Sequence, residues 1–562
     1  MSDFEPTTGQ SVDEIADGFW ERFLELSPLS ATVYGDKRYD DRLPDPGPEG
    51  RAKAREWSRD MIAAAERIPD DGLSVEDRIT RDMLRVIGEL AIAEDDHRLD
   101  TLQVVDHMNG PQTLLPQMTQ FQSADTPLDL DNFVCRLHAY PAYMAANLEL
   151  LREAEASGLT APRIVAERAI AQLERMLAIP IDEAIVPSMV RVSEEDDRET
   201  IRKIVRDEVY PADQGFLDEL KGSYFAKTRT EPGIWSAPNG EEIYRTQILR
   251  WTTLQLDPRE IHDSGLAELH EIEAERRRIS QGAGFGDDTK AYRASLLADA
   301  ANIPESRDDL IARAMEDIER ANAAMPAIVR RIPAATCRVI PVEDYKEQDA
   351  PFAYYYPPSE DLTRPGTYYV NCYDLATRTY SKLASTTYHE AVPGHHFQIA
   401  LEGENTNLNR FRRFGSRLAG AAYAEGWGLY SERLADELGL YRNDAERFMM
   451  LDAQAWRAAR LVVDTGLHAL RWTRQQSIDH LLEAGLTETD ALIETDRYIA
   501  NPAQALTYKV GQREIDRLRR EISARDGSAF DLREFHDQLL GHGSLPLATL
   551  ARELPNWVAT PA

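Results

Sequence analysis

The residues best equipped for chemistry sit together in Ser385-Thr-Thr-Tyr-His-Glu-Ala-Val-Pro-Gly-His-His-Phe-Gln398. Between Lys382 and Glu402 the Asp, Glu, Lys, Arg and His residues are His389, Glu390, His395 and His396 alone. A chain with 12 histidines in 562 residues places three of them here within eight positions. The nearest mechanistic pattern is His-Glu-x-x-His on a helix, where two imidazoles four residues apart hold zinc and the Glu serves as general base. This chain departs from it as His-Glu-x-x-Pro-Gly-His-His. Helical phase favours His396 as the second ligand, but seven residues of helix rise about 10.5 Å, a long reach for two side chains on one ion. Pro393 lacks an N–H and clashes with the preceding turn. A break that loops out two residues at Pro393-Gly394 favours His395 instead, and both histidines stand as candidate ligands.

A second stretch, Leu418 to Ser431, contains one charge, Glu425, among Ala, Gly, Trp, Tyr and Leu. A helix apolar on all faces is buried, and a buried carboxylate needs a cation or strong donors. Zinc held by His389 and a second histidine supplies that cation. Gly420, Gly426 and Gly428 would let this helix approach its neighbours closely. Two His, one Glu and an open fourth position make a catalytic arrangement. In Arg497-Tyr-Ile-Ala-Asn-Pro-Ala-Gln-Ala-Leu-Thr-Tyr508, either Arg497 or Tyr508 is a candidate to stabilise an oxyanion, although a tyrosine in such a stretch is more often core. Asp464 and His468 fall four apart on one helical face, as a clamp behind the site, a substrate contact, or a satisfied buried pair.

Helices must position these groups. Apolar residues recur near the 3.6 period from Val12 to Leu26 and in segments at about 51–66, 76–94, 130–157, 163–179, 196–221, 258–280, 288–299 and 307–325. Between about 336 and 372 the pattern turns β-like, which predicts a small antiparallel sheet just before the site-bearing segment. Helices then resume at about 380–402, 414–438, 443–482, 486–499 and 503–524. Net charge is −33; such a surface repels nucleic acid and anionic lipid. The cysteines, Cys135, Cys337 and Cys372, are few and far apart, so free and mostly buried thiols are expected rather than disulfides or a thiolate metal site. With no signal-peptide pattern at the N-terminus and no long uncharged apolar stretch, the expectation is a cytoplasmic protein with no membrane partner.

His-Glu-x-x-Pro-Gly-His-His resembles the signature of a bacterial family catalogued as domain of unknown function 885. Ser27-Pro28 through Asp45, Tyr244, Arg364-Pro-Gly-Thr-Tyr368, Glu425-Gly-Trp427, Asp464-Thr-Gly466-Leu-His468, Gln504 through Gly511 and Leu545-Pro-Leu547 look like that family too, so the resemblance covers nearly the whole chain. The family is similar in fold to zinc carboxypeptidases of the thermostable carboxypeptidase Taq type. The resemblance implies a mainly α, zinc-carboxypeptidase-like fold with a deep groove and the small sheet beside the metal. It carries over His389, the second histidine and Glu425 as zinc ligands, Glu390 as base, and Arg497 and Tyr508 as substrate or oxyanion contacts. The expected organisation is a helical lobe over 1–230 and a catalytic lobe over 231–562, or one continuous unit. The expected function is zinc-dependent cleavage of a peptide or small amide, with a homodimer left open. The alternatives are a metal hydrolase of non-peptide amides or esters, and a binding protein with a degenerate site.

Overall fold

Many helices in this chain begin at a side chain that caps them. In the computed structural model, which describes residues 11–184, 194–342, 347, 351–361 and 363–558, Ser11 caps α1 (Val12–Leu26) and Glu14 closes the capping box. α1 buries Ile15, Phe19 and Trp20 on one face. The same logic recurs along the chain, and the fold is mainly α. The reading of the extreme N-terminus and parts of the β-like stretch (343–346, 348–350 and 362) lie outside the described residues.

The small sheet has β1 (Cys337–Pro341), β2 (Ala353–Tyr356) and β3 (Gly366–Val370) in the order β1-β3-β2. β2 pairs antiparallel with β3, but β1 pairs parallel with it, so the sheet is mixed rather than antiparallel. β3 is the most buried strand, with Gly366, Thr367, Tyr368 and Val370 all inside. It takes the central position between two half-exposed edges.

Five helices after the sheet carry the site: α2 (Tyr380–Glu390), α3 (His395–Glu404), α4 (Ala421–Glu437), α5 (Asp444–His468) and α6 (Thr507–Asp526). α4 and α6 touch backbone to backbone, because a Cβ on Gly426 would lie 2.5 Å from Gly511 Cα. The helix expected over 443–482 is instead two, α5 and Arg474–Ala484. The Trp472 ring packs on Gly466, and Thr473 with Gln476 forms a capping box that starts the second helix.

Two apolar clusters each draw on both ends of the chain. One joins Trp20 and Met83 to Phe414 and Leu550; the other joins Leu137 and Phe216 to Val463 and Leu481. Both clusters contain residues from either side of residue 230. No disulfide links the thiols; Cys372 is buried, Cys337 half-buried, and Cys135, against expectation, exposed. Among the described residues no helix is long and apolar enough to cross a membrane.

Candidate metal centre

α2 ends at Glu390 and α3 begins at His395, with Ala391 to Gly394 out of helical geometry and a cis peptide at Val392–Pro393. The break falls where Pro393 forbids continuation. A side chain on Gly394 would overlap the His389 carbonyl. The turn is fastened from α4, where Trp427 Nε1 donates to the Pro393 carbonyl at 2.8 Å. The break re-aims α3 so that His395 faces His389, with ring centroids 4.7 Å apart and planes at 85°.

Glu425, one turn into α4, completes the cluster. Its Oε2 lies 3.6 Å from His389 Nε2 and 3.4 Å from His395 Nε2. Ligand atoms from all three residues fall within 4.8 Å of one another. Those separations exceed a hydrogen bond and match the roughly 3.3 Å between two ligands that each sit about 2.0 Å from one tetrahedral ion. Glu425 Oε2 is buried without a hydrogen-bond partner, and burial alone would push its pKa up. The adjacent His389 and His395 imidazoles outweigh burial and hold it below the usual carboxylate range. His389 shows the converse: burial lowers its pKa, and the Glu425 and Glu432 carboxylates raise it to about 9. The three residues therefore could hold a divalent metal ion. Gly428, one turn after Glu425, leaves room for both rings; a Cβ there would meet His389 Nε2 at 2.9 Å and His395 Cε1 at 3.0 Å.

His396 belongs elsewhere. Its Nδ1 takes the Tyr355 hydroxyl at 3.0 Å and its Nε2 faces the Ala335 carbonyl at 3.1 Å. Both nitrogens are consumed in tying α3 to the sheet, so the choice between adjacent histidines falls to His395. Glu390 is half-buried, and among the described residues its carboxylate makes no hydrogen bond or ion pair. It follows His389 directly.

Tyr508 stacks on His389 at 6.3 Å between ring centroids, and the Arg460 guanidinium sits 4.3 Å from the Tyr508 ring centroid. Arg497 is bound to Glu494 at 3.1 Å and Gln504 at 2.5 Å and lies within electrostatic reach of Tyr508. His468 does not reach the cluster as a free base. Its Nδ1 accepts from Ile234 N–H at 3.1 Å and its Nε2 meets the Tyr498 carbonyl at 2.9 Å. Asp464, the other half of the expected pair, accepts instead from Tyr244 at 2.6 Å and from Ala503 N–H at 3.1 Å. Both are buried braces that hold the 498–503 segment.

Glu432 went unrecognised in the sequence. It lies seven residues after Glu425 on α4, fully buried, and its Oε1 accepts from His389 Nδ1–H at 2.9 Å. Gln454 from α5 donates to its other oxygen at 3.0 Å, and Lys509 from α6 donates to Gln454 at 2.9 Å. Burial brings the Lys509 pKa down to about 8. Such a carboxylate fixes the tautomer of a ligating imidazole and directs its other nitrogen at the ion. The seven-residue phase with Glu425 was the signal; Arg433, Asp436 and Glu437 beside it disguised it as a solvated helix end.

A family model described as "Bacterial protein of unknown function (DUF885)" matches residues 28–554. The chain is similar over 98% of its length, and 99% of the other, to a candidate lipoprotein from Colwellia psychrerythraea, with 28% identity and a TM-score of 0.89. It also shares its fold with a candidate lipoprotein of unknown function from Shewanella oneidensis, at 20% identity and a TM-score of 0.76, over 97% and 99% of the two chains. No curated protein shows significant similarity to the chain.

Proposed function

The chain belongs to the DUF885 family, and from that membership and the geometry above we propose that it is a zinc-dependent hydrolase of peptide bonds, akin to zinc carboxypeptidases. The observation that carries this reading is the convergence of His389, His395 and Glu425 within 4.8 Å beside an unengaged Glu390. A structural site has no use for a free carboxylate next to its ligands. Zinc, when bound, supplies Lewis acidity that polarises the scissile carbonyl and makes a water acidic near neutral pH. Glu390 takes a proton from the attacking water and passes it to the leaving amine. Tyr508, its ring stacked on His389 with the Arg460 guanidinium beside it, would donate its hydroxyl to the developing oxyanion.

The test joins metal content with turnover. The purified protein is expected to contain about one zinc per chain, to cleave peptides, and to lose activity to a chelator and regain it with zinc. Glu390→Gln should keep the zinc and lose at least ~100-fold in kcat. Undiminished cleavage by that variant overturns the mechanism, and cleavage of small esters or amides in place of peptides transfers the same site to another substrate class. The Colwellia relative's description as a candidate lipoprotein supports a second location, the membrane surface, beside the cytoplasmic one; cell fractionation decides between them.

A further inference from the structure

Among the described residues two half-buried cations without an ion pair, Lys382 and Arg457, lie on helices that carry the site, in a chain with 97 Asp and Glu against 64 Lys and Arg. Lys382 lies on α2 seven residues before His389, nearly two turns away and on the same face. It is half-buried, its Nζ 5.0 Å from the Phe352 ring centroid, and the Arg378 guanidinium approaches the same ring at 5.3 Å. Arg457 lies on α5, which packs against α2. Its guanidinium sits 4.5 Å from the Trp456 ring centroid and donates to the Ala453 carbonyl at 3.3 Å, while its Nε is buried without a partner. Among the described residues neither Lys382 nor Arg457 forms an ion pair.

The carboxylates that act on Lys382, Asp490 and Asp452, form no ion pair with it. Asp452 is held by Arg276 at 2.6 Å and by Arg293 at 2.8 Å, and Asp490 accepts from Thr487 at 2.8 Å. Burial depresses the Lys382 pKa; Asp490 and Asp452 oppose this, and Arg378 and Arg457 add to it. Arg457 also acts electrostatically on Glu432, which ties the group to the buried carboxylate behind His389. Like charges gathered at a half-buried site are unfavourable until an anion joins them.

We infer that Lys382 and Arg457, with Arg378 beside them, bind the free C-terminal carboxylate of the peptide cleaved at the metal centre. The inference rests on the hydrolase reading proposed above. The helix between Lys382 and His389 rises about 10.5 Å, and an extended peptide advances about 3.4 Å per residue. The carboxylate would then fall about two or three residues beyond the scissile bond, so the products released from the C-terminus would be di- or tripeptides. Phe352 and Trp456 would wall the space between.

Peptide pairs that differ in having a free or an amidated C-terminus test this on the zinc-loaded, full-length protein. The free acid is expected to show a kcat/KM roughly 10- to 100-fold higher, the worth of one charge-assisted hydrogen bond. In the Lys382→Met, Arg457→Met double variant that ratio should fall toward one. Equal rates for acid and amide in the wild type overturn the inference and leave the hydrolase standing. If no peptide is cleaved, the same pairs are titrated by calorimetry onto the wild-type protein and the double variant. Tighter binding of the acid, lost in the double variant, sustains the carboxylate site while the hydrolase reading falls. Equal binding, or none, overturns it.

Discussion

Two glutamates on α4 make opposite demands on the same imidazole. Glu425 faces His389 Nε2 across a gap of 3.6 Å, whereas Glu432 contacts Nδ1 at 2.9 Å. The short contact is a hydrogen bond and the long one leaves room for an ion. His395 has no such brace, because its Nδ1 is buried without a partner. Orientation at the centre therefore depends heavily on Glu432. Glu432→Ala should weaken zinc affinity about 10- to 100-fold, as loss of such partners does in other metal sites; chelator competition reads it. Gly428→Ala tests the space from the other side. Its new methyl would press on both ring edges at about 3 Å, and the expected result is lost zinc binding with the helical circular dichroism retained.

At the scale of elements, the decisive piece is the turn between α2 and α3. It is pinned by one indole hydrogen bond, Trp427 to the Pro393 carbonyl. Trp427→Phe keeps most of the buried area and removes that bond, so a stability loss of about 1 kcal/mol is expected. A disproportionate fall in zinc affinity, read in the same preparation, would trace to the turn. The sequence disclosed this region well for a physical reason: His389, Glu390 and Glu425 are ionisable groups in uncharged surroundings, and Pro393 cannot continue a helix. It disclosed less wherever the outcome depended on a distant partner. His468 and Asp464 have the right spacing for a pair, yet Ile234 and Tyr244 claim them separately. Whether β1 would run parallel or antiparallel depends on the strand order and the route of the connections between strands, and periodicity within a strand does not carry that. Phase alone could not choose between His395 and His396; Tyr355 and Ala335 do.

At the scale of the whole molecule, the buried ionisable groups shape the response to pH. Burial, helped by the nearby Arg229 charge, lowers the His468 pKa to about 4, against an ordinary 6.5. The unfolded chain takes up that proton as pH falls through 6.5 and the folded chain does not until about 4. His468 therefore stabilises the fold above pH 6.5 and loses that contribution between 6.5 and 4, by at most about 1.4 kcal/mol per pH unit. His468→Gln should be less stable at neutral pH but show a shallower decline across that window in denaturant melts. Asp464, raised to about 7 by burial, has the opposite sign: its contribution is full at low pH and fades as pH rises toward 7. Zinc is expected to raise the melting temperature, by the equivalent of about 2.7 kcal/mol at a hundredfold excess over Kd; Glu425→Gln should abolish the shift.

The apolar cluster around Trp20 is closed by Phe414, whose carbonyl accepts from Tyr34 across 380 residues of chain. A ribosome delivers residues in order, so α1 can pack early on the helices Pro48–Arg67 and Val75–Asp96, but the part of its face that Phe414 covers stays open until late in synthesis. The proposed ligands follow a similar timetable: His389, His395 and Glu425 come late and close together, so on the reading proposed above an ion would enter only after most of the scaffold has been made. Chains arrested before Phe414 should be cut readily by protease within α1, and chains arrested past α6 should resist.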